Sequence, residues 1–193
     1  MNWLAGLGIA GFFAGLVTPL KDLSVVAEKV GKDSEKTNLP GQQLVFAHAH
    51  EKDPQHVHAA GNYVKADHLG VPDAALVYPE DLSQDDNYLI LLHRLNPDEI
   101  QPPTKQEMTD QGYVAYSAIC THLGCTVNWT TKSHAVGGPH DHCPCHVGEF
   151  DPYHGAEVVG GPPPKPLPQI GVTVNDDGIL EVTSKFEETV GGE

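Results

Sequence analysis

The feature that most constrains this chain is where its cysteines stand. There are four, in two tight runs: Cys120-Thr121-His122-Leu123-Gly124-Cys125 and Cys143-Pro144-Cys145-His146. The pattern is C-x-H-x-x-C and then, after 17 intervening residues, C-x-C-x-x-H. Cysteines that merely pack or staple a fold rarely cluster like this. Thiolates beside imidazoles are ligands for transition metals. Two adjacent loops could each present one thiolate and one imidazole to a shared centre. Neither run has the C-x-x-C spacing of a zinc ribbon knuckle or a dithiol redox motif. A mixed cysteine–histidine zinc site stays open on spacing alone.

The surroundings read as β structure. Leu44–Phe46, Tyr88–Leu95, Tyr113–Ile119, Ile170–Val174 and Ile179–Val182 are short runs rich in β-branched, aromatic and leucine residues. Asn175-Asp176-Asp177-Gly178 predicts a hairpin turn between the last two. Pro97 to Asp110 reads as a short helix or loop. The 20 glycines and 16 prolines suit turns and short strands, not a helical bundle. The expected fold class is all-β, a small antiparallel domain.

The N-terminus differs. Trp3 to Leu20 carries no charge over 18 residues, roughly 27 Å as a helix and close to a bilayer's apolar thickness. We expect residues 1–20 to be one transmembrane anchor, 21–41 a polar tether and 42–193 the folded head. Gly11 and Gly15 form a G-x-x-x-G that would admit a neighbouring helix. The net charge is −15, from 26 acids against 11 bases. That excludes nucleic acid as a partner and favours a basic protein such as a cytochrome.

At its two cysteine runs the chain resembles the Rieske iron–sulfur family, specifically the branch of cytochrome bc-type quinol-oxidising complexes. The likeness continues through Gly148-Glu149-Phe150-Asp151 and through Gly160-Gly161-Pro162-Pro163-Pro164, which is similar to the proline loop covering the cluster in that family. It is close over about residues 113–168, the expected cluster-binding subdomain. The resemblance implies an antiparallel β-sandwich head and a 2Fe–2S cluster. Cys120 and Cys143 would bind one iron, and His122 and His146 the other. Cys125 and Cys145 would form a disulfide clamping the two loops, which implies an oxidising compartment. Ring-hydroxylating dioxygenases generally lack that second cysteine pair.

The resemblance further implies that His122 and His146 act catalytically, accepting the proton of a membrane quinol as its electron leaves. The expected partners are a cytochrome b-type subunit, quinol, and a cytochrome c-type or other electron acceptor. The head would sit on the extracytoplasmic side of the membrane. The chain would work as a subunit of a quinol:cytochrome c reductase; the Rieske subunit of another respiratory enzyme, such as arsenite oxidase, is the alternative. High-potential members read C-P-C-H-G-S-x-Y. Here Gly148 stands at the serine and Phe150 at the tyrosine, so two donors to the cluster's sulfurs are missing. That predicts a lowered potential and a menaquinol-type donor. A longer loop between the motifs carries His134, His140 and His142, expected with His154 to be ordinary surface histidines. His48, His50, His56 and His58 read as a solvated loop, and Tyr116 and Tyr153 as packing residues.

Overall fold

The computed structural model describes residues 38–48, 59–83, 85–131 and 138–192. The expected anchor, most of the tether, and His50, His56, His58 and His134 lie outside them. Among the described residues no helix is long and apolar enough to cross a membrane.

Leu39 to Glu193 forms one compact unit. Among the described residues every paired strand is antiparallel. β1 (Leu44–Phe46), β2 (Asp73–Pro79), β3 (Ile90–Arg94), β4 (Tyr113–Ser117) and β9 (Gln169–Ile170) make a five-stranded sheet in the order β1-β2-β3-β4-β9. β5 (Asn128–Thr130), β6 (His140–Cys143), β7 (Gly148–Asp151) and β8 (Glu157–Gly160) make a four-stranded meander between β4 and β9. β10 (Val172–Val174) and β11 (Leu180–Val182) pair as a hairpin. Its turn closes where expected: the Gly178 amide donates to the Asn175 carbonyl at 2.9 Å, and Gly178 takes φ +75°.

The central sheet is buried on both faces, so β3 and β4 read as nearly unbroken apolar runs. Strand alternation sorts them. Val77, Ile90, Leu92, Tyr113 and Ala115 pack with Val172, Leu180 and Val182 of the hairpin. Leu91, Val114 and Tyr116 face the other way, onto Cys120, Val127, Cys143 and Phe150. Tyr116 is fully buried and donates to the Pro152 carbonyl at 3.1 Å.

The sequence pattern marks the strands incompletely. Ile170–Val174 is two strands broken at Gly171, whose absent side chain leaves room for Thr183 Oγ1. β2 and all of β5 to β8 lie outside the expected runs, and the expected loop before Cys143 is strand β6. Pro97 to Asp110 holds two single 3-10 turns, Pro97–Glu99 and Gln106–Met108.

Candidate metal centre

Three loops at one end of the meander converge. The first follows β4. The Cys120 amide donates to the Cys125 carbonyl at 2.9 Å, and the Gly124 amide to the Cys120 carbonyl at 3.0 Å. Gly124 supplies the turn at φ +77°. The second loop joins β6 to β7, where Cys143 pairs with Gly148. The third holds the prolines. Thr121 Oγ1 donates to the Lys165 carbonyl at 2.7 Å, tying the first loop to the third. Pro163 sits against Gly148, where a Cβ would come within 2.7 Å of its Cγ.

Cys125 and Cys145 are joined as a disulfide, 20 residues apart in sequence. Cys120 and Cys143 are free and buried. Their thiols neighbour each other: burial pushes the Cys120 thiol up to about 11, Cys143 beside it adds to the rise, and the backbone amides of His122 and Leu123 oppose it. A metal binding here would displace that proton, and the amides would then face sulfur carrying negative charge.

His122 and His146 complete the group. Their ring centroids are 4.7 Å apart, nearly edge-on at 84°. His146 is exposed and His122 half-buried. His122 Nδ1 is buried with no hydrogen-bond partner. An orphaned ring nitrogen on the loop that also carries the free, buried Cys120 suits a ligand atom. The residues therefore fit a two-thiolate, two-imidazole centre. Leu123 and Val147, 67% and 54% exposed, rim it with apolar surface.

Sequence reasoning missed several neighbours. Thr121, Asp141 and Glu149 are fully buried polar residues, and nothing in their local pattern announces it. The surface expectation is wrong for His140, which is 1% exposed, and for half-buried His142. Strand pairing puts both inside the meander. His154 does lie at the surface, with Nδ1 at 2.9 Å from Asp151 Oδ2.

Residues 85–171 match the Rieske (2Fe-2S) domain family. A protein of Haloferax mediterranei, provisionally named the Rieske subunit of a respiratory nitrate reductase, is 38% identical over 97% of this chain and 76% of its own length. The cytochrome bc1 complex Rieske iron–sulfur subunit of Streptomyces lividans is 43% identical over 53% of this chain and 58% of its own length. The chain thus spans less than two thirds of that second relative. Among solved structures, a hyperthermophilic respiratory Complex III aligns over 88% of this chain and 98% of its own, at 21% identity and TM-score 0.41. The plasma-membrane Rieske protein of Synechocystis PCC 6803 aligns over 50% of this chain and 77% of its own, at 27% identity and TM-score 0.34.

Proposed function

From the premise that this chain belongs to the Rieske 2Fe–2S family and binds such a cluster, we propose that it is the electron-transfer subunit of a membrane quinol-oxidising complex. Cys120 and Cys143 hold one iron and His122 and His146 the other. The observation that carries this is two buried free thiols and two imidazoles, the rings 4.7 Å apart, carried on loops clamped by the Cys125–Cys145 disulfide.

When bound, the cluster supplies a one-electron acceptor. The chain's own residues do the rest. With one ring nitrogen committed inward, the second nitrogen of His122 or His146 accepts a hydrogen bond from the quinol hydroxyl. It then holds the proton that leaves with the electron. Leu123 and Val147 give the lipophilic quinol an apolar rim to dock against. The disulfide supports an extracytoplasmic head, anchored by residues 1–20 and moving on the tether 21–41 between donor and acceptor.

In this reading the quinol is of menaquinol type, and a cytochrome b subunit completes its pocket. Electrons pass to a cytochrome c-type acceptor. A second reading draws on the haloarchaeal match, which spans 97% of the chain: the electron goes to a respiratory terminal reductase instead. Purification of the complex from native membranes tests both. Cytochrome b with quinol-reducible Rieske EPR supports the first, and a molybdopterin subunit without cytochrome b supports the second. A purified chain holding zinc and no iron contradicts both.

A further inference from the structure

Three ligand-type side chains meet on the face of the meander opposite Cys143. β6 runs His140, Asp141, His142, Cys143, so His140 and His142 share one face and Asp141 and Cys143 the other. Pairing sets Glu149 of β7 directly across from His142. One ligand atom from each of His140, His142 and Glu149 lies within 4.8 Å of the others. His140 Nε2 is 3.7 Å from Glu149 Oε1, and both side chains are 1% exposed. Two donors in a tetrahedral zinc shell stand roughly 3.3 Å apart, so small side-chain shifts would close the site.

Two further details suit a ligand site. His140 Nδ1 lies 2.7 Å from the Gly138 carbonyl. A carbonyl only accepts, so Nδ1 carries the proton and Nε2 is left to turn its lone pair toward Glu149. A metal ion between them would take that lone pair and a carboxylate oxygen as two of its ligands. Anchoring the far nitrogen on a backbone carbonyl is also how ligating histidines are oriented. The second detail is Gly160, which pairs with Glu149 across β7 and β8. A Cβ there would come within 2.7 Å of Glu149 Oε2, so glycine leaves the space the carboxylate occupies.

We propose that His140, His142 and Glu149 form a second metal site, separate from the iron–sulfur ligands, that takes one divalent cation of the zinc class. Two imidazoles, a carboxylate and an open fourth position match that ion's preferences. A cation there cross-links β6 to β7, the hairpin that carries Cys143 and His146.

The test uses the full chain with its cluster assembled, stripped of loose cations and titrated with Co2+ alone and then Zn2+. Visible absorption and metal analysis follow uptake; the EPR of the reduced cluster reports folding. One equivalent of Co2+ in tetrahedral coordination is expected, displaced by Zn2+ with iron content unchanged. His140→Gln and Glu149→Gln each weaken uptake at least about tenfold, the loss that even an outer partner of a metal ligand causes. A triple His50→Gln, His56→Gln, His58→Gln control leaves uptake as it was. If a ligand variant loses its EPR signal, Gly160→Ala replaces it, crowding the carboxylate while keeping every ligand. The proposal is overturned by absent uptake. Uptake indifferent to the ligand variants, uptake abolished by the control, or binding only at the expense of iron overturns it equally.

Discussion

His93 Nε2 lies 3.1 Å from Asp141 Oδ2, both side chains wholly buried, and this contact joins β3 of the central sheet to β6 of the meander. Trp129 stands edge-on to the His93 ring at 5.2 Å, and Tyr116 does so at 6.1 Å. Asp141 is two residues from Cys143, so the pair sets where one side of the metal centre sits on the larger sheet.

Removing one partner leaves the other buried without its hydrogen bond. His93→Ala and Asp141→Ala should each lower stability by about 3 kcal/mol, read from the urea midpoint. The double variant should cost clearly less than the sum. Strict additivity would mean that the contact does not couple the sheets.

The disulfide closes a loop of 20 residues. Cys145→Ser should lower stability by about 3 kcal/mol on the chain-entropy estimate. It should also hasten loss of the cluster's EPR signal on mild heating. A variant as heat-resistant as the parent would show that the other loop contacts suffice.

The two cysteine pairs should separate by iron content. Cys120→Ser and Cys143→Ser should abolish the native cluster, whereas Cys125→Ser should keep measurable iron at reduced stability. Iron retained in native form by Cys120→Ser would overturn the ligand assignment.

Val147, next to His146, takes φ +57°, a region costly for a β-branched residue. Val147→Gly should raise stability by about 1 kcal/mol, the strain relief exceeding glycine's extra entropy loss. A lower thermal midpoint would contradict this.

Gly148 and Phe150 lack the hydroxyls of the high-potential motif. Pro163 also occupies the space a serine at 148 would need, its Cγ only 2.7 Å from where a Cβ would stand. The midpoint should fall in the lower half of the family range, roughly −150 to +75 mV. Phe150→Tyr should raise it. Redox-poised EPR decides, and a parent midpoint near the top of the range excludes the menaquinol assignment.

Much of the centre is legible in the amino-acid order. The two cysteine–histidine runs are marked by their short spacings, whereas the division into ligands Cys120, His122, Cys143 and His146 and a Cys125–Cys145 bond is what the family resemblance implies. The β-rich head is legible too, because β1, β3, β4 and β11 carry enough apolar residues to declare themselves. β5 to β8 do not. Asn128–Thr130, His140–Cys143, Gly148–Asp151 and Glu157–Gly160 are three or four residues long with only one or two apolar side chains each, too short for alternation or propensity to mark them.

The sequence by itself determined which side chains are available as ligands, because neighbours in a tight loop are held together by covalent spacing. Tertiary structure alone decided what surrounds them: His93 against Asp141, Thr121 on the proline loop, and His140, His142 and Glu149 drawn inward. Those relationships depend on which strands pair and which face each residue takes. A shift of one residue in register would send Glu149 and His142 to opposite sides of the sheet.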